Sequence, residues 1–339
     1  VNYFNTDQRS RALDVTALEN ALVDMLVHAH EPDLMHLGLK KGVMQLVSAE
    51  VQREVLASLA GLRGARVEVE LGGSAANALR GMAVLGARTS YSSVVGDDEN
   101  GHAFSGRLEK LGIVNRLVRA EGEPTGTCLV VVTPDGERTL NTHLGACLKY
   151  EKKHVPVEDI RRSKVFFTTG YVYDSPAQIE AVEHAFEVAK EADVKVAVDV
   201  ADPFVVQRWG AQLRTLLETR THIVFANAQE AQMLVGCTGA DAARTLGEKV
   251  ELVVVKDGAK GAYVCHAGRV IHVPTENVTP VDTTGAGDMF AGGFLYALTH
   301  GHSLETCGRL ATLLAADTIM HTGVRLSASI PAKAKALLA

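Results

Sequence analysis

From Lys164 onward, short apolar runs alternate with longer stretches in which apolar residues recur every three or four positions. Segments 164–169, 195–200, 222–226 and 251–256 are of strand length and rich in Val, Phe and Ile, and they read as buried strands. Segments 176–192 and 203–217 have the helical period. A hairpin is predicted over 263–273 around Ala267-Gly268, and two helices follow from about 286 to 319. Repeated strand–helix–strand crossovers imply a parallel sheet with helices on both faces, which binds ligands beyond the carboxyl ends of its strands.

The first half is less regular. Segments 43–47, 67–71, 127–133 and 138–143 read as strands, the last two joined by a Pro134-Asp135-Gly136 turn. They interrupt the α/β alternation. With no internal repeat or low-complexity linker in the chain, they predict an inserted β unit rather than a following domain.

Composition narrows the function classes. The 339 residues, 47% hydrophobic, are enough for one large α/β domain with an appendage or for two domains. Lys+Arg of 34 against Asp+Glu of 40 gives a net charge of -6 without a basic run, so no nucleic-acid partner is expected. The five cysteines, at 128, 147, 237, 265 and 307, form no C-x-x-C pair, and reduced thiols fit better than a disulfide framework. No run approaches the roughly 18 apolar residues of a membrane span, and the stretch from Val1 to Asp7 is unlike a signal peptide. The expectation is a cytoplasmic protein with no membrane partner. None of the 13 histidines forms H-E-x-x-H, and no histidine metal site is expected.

The chemistry is concentrated in Asp282-Thr283-Thr284-Gly285-Ala286-Gly287-Asp288, which runs into an apolar helical stretch. Gly285 and Gly287 leave backbone N–H groups at a helix start open to an oxyanion, where the helix dipole favours negative charge. Asp288, in the first turn, suits a general base for a hydroxyl beside that anion. A tight turn followed by a dipole-favoured Asp has the same local sequence. The segment is not a dinucleotide fingerprint, since the third glycine would fall at Phe290, and no Gly-Lys-Ser/Thr follows as in a Walker loop.

A second segment, Gly72-Gly73-Ser74-Ala75-Ala76-Asn77, also opens a helix. Together with Asn20-Ala21-Leu22-Val23-Asp24, Asn227-Ala228-Gln229-Glu230 and Val255-Lys256-Asp257-Gly258-Ala259-Lys260-Gly261, in that order along the chain, these motifs resemble the ribokinase-type (PfkB) carbohydrate and nucleoside kinases. The resemblance implies a ribokinase-like three-layer α/β/α sandwich with a mostly parallel central sheet and a small β lid. It places 1–30, 73–115 and 148–339 in the large domain, and 31–72 and 116–147 in the lid.

The resemblance also implies roles. Asp288 would be the base and Gly285, Ala286 and Gly287 the anion hole, with Arg138 on the lid hairpin reaching the transferred phosphate. Asn20, Asp24, Gly72, Gly73 and Asn77 would bind the acceptor, and Tyr173 or Phe204 would stack on a base or, equally, fill the core. Asn227 and Glu230 would organise Mg²⁺ and phosphate through water, although Asn with Glu three residues on is also a capping box. Lys256, Gly258 and Gly261 would lie on the nucleotide loop, the lysine side chain solvated. Asp282, Thr284 and Gly323 match a monovalent-cation site, so ATP, Mg²⁺ and K⁺ are the implied cofactors. One position departs: the family carries glycine before Asn20, whereas Glu19 stands here, which changes the local backbone and the substrate fit.

The expected activity is transfer of the γ-phosphate of ATP to a primary hydroxyl of a nucleoside or sugar by a monomer or homodimer. The surroundings of Asn20–Asp24 and Gly170–Asp174 look most like the adenosine kinase branch, which gives adenosine to AMP. Ribokinase, fructokinase and 2-keto-3-deoxygluconate kinase activities are the alternatives. A nucleoside-binding regulator without catalysis would keep the glycines and lose Asp288.

Overall fold

The computed structural model describes residues 3–61 and 66–339, and fourteen strands lie in that range. The first seven are β1 (Leu13–Leu18), β2 (Leu22–His28), β3 (Met44–Leu46), β4 (Val67–Leu71), β5 (Thr89–Gly96), β6 (Val114–Ala120) and β7 (Gly126–Val132). The rest are β8 (Arg138–His143), β9 (Ser163–Thr169), β10 (Lys195–Asp199), β11 (Ile223–Asn227), β12 (Leu252–Lys256), β13 (Ala262–His266) and β14 (Arg269–Val273).

Nine strands form the main sheet in the order β14-β13-β12-β11-β10-β9-β1-β5-β6. All pairs from β12 to β6 are parallel, and the β13–β14 hairpin closes one edge antiparallel. Side chains alternate along the buried strands. Val165 and Phe167 join a core with helices Ser74–Val84, Glu99–Lys110, Ala286–Thr299 and Leu304–Thr318, while Phe166 faces a second core with helices Pro176–Glu191, Pro203–Thr219, Ala228–Val235 and Gly239–Leu246. This strand period of two, set between two helical layers, makes the expected α/β/α sandwich.

The smaller sheet has the order β3-β8-β7-β2-β4. Helices Glu31–His36 and Ala49–Ala60 cover one face through Val27, Leu34, Leu59, Leu129 and Val131, giving it a core of its own. Leu26, Cys128, Val130 and Val132 lie on the other face.

The domain boundaries differ from those expected. Strand β2 falls within 1–30, yet it lies between β4 and β7 in the small sheet, with Asp24 opposite Glu70 and Cys128. Strand β6 falls largely within 116–147, yet it pairs with β5 as the edge of the main sheet. Edge position explains the second difference: β6 is half-exposed, with Arg116 and Arg119 pointing outward, so it lacks the apolar run of its neighbours. Residues 1–2 and 62–65, which fall in the expected large domain and lid, lie outside the described residues. No helix among the described residues is long and apolar enough to cross a membrane.

A buried ion pair anchors the base of the sandwich. Lys164 Nζ donates to Asp14 Oδ1 at 2.7 Å and to the Thr299 carbonyl at 2.9 Å, so one ammonium ties β9 to β1 and caps the carboxyl end of helix Ala286–Thr299. The Arg88 N–H supplies Asp14 Oδ2 at 2.9 Å. Lys164→Met removes the cation and strands a buried carboxylate, so urea unfolding should register a loss of about 3–5 kcal/mol. A loss below about 1 kcal/mol would mean that the pair is dispensable.

Candidate active site

The carboxyl ends of β1, β10, β11 and β12 and the inner face of the small sheet enclose a cavity of about 670 Å³. It receives residues from every motif singled out in the sequence, brought together from positions 19 to 319.

Gly285 shapes the helix start that is the candidate anion hole. Its φ of +69° turns the chain left-handed at the N-cap of helix Ala286–Thr299, a conformation that a side chain would strain. The Gly287 and Asp288 amides then lie in the first turn without intrahelical acceptors. Ala286 contributes less than expected, because its N–H turns back to the Thr283 carbonyl at 3.3 Å. Asp282 braces the loop: Oδ1 accepts from the Thr284 N–H at 2.8 Å and from its hydroxyl, and Oδ2 accepts from the Gly323 N–H at 2.9 Å. Thr284 lines the cavity, whereas Asp282 and Gly323 stand behind it.

Asp288 accepts a hydrogen bond from Asn77 Nδ2 at 2.9 Å. Burial pushes its pKa up to about 6; Asp199 adds to the rise, while Asn77, Lys256 and Arg138 limit it. The carboxyl group is therefore ionised at neutral pH but more basic than a free aspartate. Arg138, at the start of β8, lines the same cavity from the lid.

The acceptor side is acidic below and apolar above. Burial, then Asp288, raises Asp24 to about 7. Gly72 supplies space rather than lining: a Cβ there would meet Asp24 Oδ1 at 2.3 Å. Gly73, with φ of +89°, starts helix Ser74–Val84 and lines the cavity. Glu19 is buried, and its carboxyl accepts from the Ala75 N–H at 3.1 Å and the Thr169 hydroxyl at 3.3 Å. Burial raises its pKa to about 8, with Asp288 and Asp24 adding to the shift. Asn20 is less free than its sequence position implies: Nδ2 donates to the Tyr171 carbonyl at 3.2 Å, and Oδ1 accepts from Gln178 at 2.7 Å. Leu22, Met44, Leu46, Leu140 and Leu144 line the lid side.

Neither expected stacking aromatic reaches the cavity. Tyr173 is packed in the core, and Phe204 lies against Arg208, 5.0 Å from the guanidinium carbon. The short 3-10 helix Gly170–Asp174 rotates Tyr173 inward and leaves Tyr171 and Asp174 to line the cavity. Arg208 and Trp209 hold Asp174, the latter through Nε1 at 3.4 Å. Sequence offered no signal for Gln178; Asp199 had one, as a polar residue ending an apolar strand at the sheet's carboxyl edge.

On the nucleotide side, Asn227 and Glu230 form the capping box and line the cavity at once. Glu230 Oε2 accepts from the Asn227 N–H at 2.7 Å, and Oε1 accepts from its side-chain amide. Burial raises Glu230 to about 8, opposed by Lys256. Gly258 and Gly261 line the outer part. Lys256, expected to be solvated, is instead half-buried at the cavity wall, with Nζ 2.8 Å from Asp199 Oδ2. Among the described residues, no group of three or more His, Cys, Asp or Glu is arranged to hold a metal ion.

Known proteins share both the sequence pattern and this architecture. The profile of the pfkB family carbohydrate kinases matches residues 34–331. The crystal structure of adenosine kinase from Sinorhizobium meliloti superposes with a TM-score of 0.90 at 32% identity, covering 96% of this chain and 99% of that one. A probable sugar kinase from Rhizobium etli CFN 42 gives a TM-score of 0.92 at 30% identity over 97% and 100% of the two chains. An uncharacterized sugar kinase from Archaeoglobus fulgidus is 30% identical over 247 residues, 72% of this chain and 96% of that protein. A profile match of this extent, joined to a shared two-sheet fold, means that the chain belongs to the pfkB family of carbohydrate kinases, phosphotransferases that use ATP, typically with Mg²⁺, to phosphorylate an alcohol.

Proposed function

We propose that the protein phosphorylates a nucleoside at its primary hydroxyl, converting adenosine to AMP. The observation that carries this reading is the apolar part of the cavity lining, to which Leu22, Met44, Leu46, Leu140, Leu144 and Tyr171 all contribute. A purine ring would bury apolar faces against that wall, which a bare sugar has no group to fill. A neutral sugar is the second reading, favoured by the Asp24 and Asn77 side chains, which suit hydroxyl groups.

In the reaction, Asp24 and Asn77 orient the acceptor so that its hydroxyl lies beside Asp288. The hydroxyl oxygen bonds to the γ-phosphorus, its proton passes to an Asp288 carboxylate oxygen, and the bond to the β–γ bridging oxygen breaks, so ADP leaves with that electron pair. The Gly287 and Asp288 amides and Arg138 offset charge on the transferred group. Mg²⁺ bound with ATP would supply further charge neutralisation of its phosphates. Glu230 and Asn227 fit it only through water, since they occupy each other's polar atoms. A monovalent cation is a weaker fit, because Asp282 already satisfies Thr284 and Gly323 and closes the loop unaided.

Three outcomes test this reading. Asp288→Asn should bind ATP and lose roughly 10²-fold or more in turnover; near-normal turnover would remove Asp288 from the base role. In the unmodified enzyme, kcat/KM, which reports ionisations of the free enzyme, should rise with pH through about 6, because the carboxylate is the active form. A rate that falls across that window would contradict this assignment. Adenosine should exceed ribose, fructose and 2-keto-3-deoxygluconate in kcat/KM. A free sugar preferred by tenfold, about 1.4 kcal/mol in transition-state stabilisation, would overturn the nucleoside assignment.

A further inference from the structure

Lys256 ends β12, where an apolar strand meets a loop, and nothing adjacent in sequence gives it a partner. The fold supplies one from β10, two strands away. Its Nζ is 2.8 Å from Asp199 Oδ2, and it lines the cavity. The same atom lies 3.2 Å from the position a Cβ on Gly287 would occupy, so the ammonium rests against the middle of the anion hole. Burial works against its charge, but Asp199, then Glu230 and Asp288, outweigh it and raise the pKa. The side chain is a permanent cation at this point.

We infer that Lys256 is a catalytic residue whose ammonium group contacts a non-bridging oxygen of the phosphoryl group in transfer. The inference rests on the phosphoryl-transfer reading of the site and not on which alcohol accepts. Three directions of charge compensation then converge: amides from the helix start, Arg138 from the lid and Lys256 from the floor of the main sheet. Arg138 belongs to the separately packed small sheet, whereas Asp199 holds Lys256 in place within the main sheet, so this cation needs no reorganisation as charge develops. Lys256 gains and loses no proton; the bonds made and broken are those of the transfer itself.

A structural tie between β10 and β12 is the competing explanation. Amine rescue, with melting temperatures read alongside, separates the two.

The experiment compares wild type, Lys256→Ala and Lys256→Met with MgATP and whichever alcohol the wild type uses best. Both variants should lose roughly 10²-fold in kcat, with a much smaller change in either KM. Ethylammonium or propylammonium should restore Lys256→Ala saturably by about tenfold or more, while propanol should not. Melting temperatures are read alongside. Overturning results are a Lys256→Met kcat within about threefold of wild type, or an amine that raises the melting temperature without raising kcat. Should Lys256→Ala not fold, Lys256→Met keeps the stem's packing and decides the question through kcat. A wild type inactive on every nucleoside and sugar would instead refute the phosphoryl-transfer reading. Loss of activity in Asp288→Asn but not in Lys256→Met would refute only the role of Lys256.

Discussion

Two helices cross so closely that neither has room for a side chain at the contact. A Cβ on Gly292 would lie 2.4 Å from the Ala78 carbonyl, and one on Gly81 would lie 2.8 Å from Met289 Sδ. Asn77 and Asp288 are the immediate neighbours of Ala78 and Met289, so their 2.9 Å hydrogen bond is fixed by this crossing. On its far side, helix Ala286–Thr299 packs equally close to Leu304–Thr318, where a Cβ on Gly293 would meet Ala311 Cα at 2.9 Å. Interiors packed at crystal-like density yield little. The carboxyl group of Asp288 is therefore positioned by the core of the large domain, although it faces an open cavity.

The small sheet hangs from short links, three of whose residues, Glu19, Asn20 and Gly73, line the cavity. Only Glu19, Asn20 and Ala21 separate β1 in the main sheet from β2 in the small one, and only Gly72 and Gly73 separate β4 from the helix carrying Asn77. Because Val27, Leu34, Leu59, Leu129 and Val131 give the small sheet its own core, it can move as a body without losing internal packing. A ligand that engages Glu19, Asn20 or Gly73 thus touches the links on which that body turns.

Sequence and structure agree best where pattern and chemistry are local. The β-α alternation after 164 was legible because buried parallel strands are continuous apolar runs, and the turn from Gly285 to Asp288 because glycines and an acid before an apolar helix admit few readings. Strand β2 was not legible as a lid strand, since its partners β4 and β7 are distant in sequence and Asp24 breaks its apolar run. Tyr171 was missed, and Tyr173 named, for want of the 3-10 turn that sets their directions. Lys256 looked solvated because Asp199 stands 57 positions away. In each case the missing information was a tertiary partner rather than a propensity.

The apolar inner face of the lid has a consequence for the competing reaction of ATP with water. With Asp288 as base, an ionised carboxylate beside an anion hole would activate water as well as an alcohol, and water is far more abundant. Leu22, Met44, Leu46, Leu140 and Leu144 offer no polar group to hold a water molecule over that carboxylate, whereas an acceptor brings surface that fits them. The partition between useful transfer and wasteful hydrolysis would then depend on apolar side chains that the transfer chemistry itself does not use.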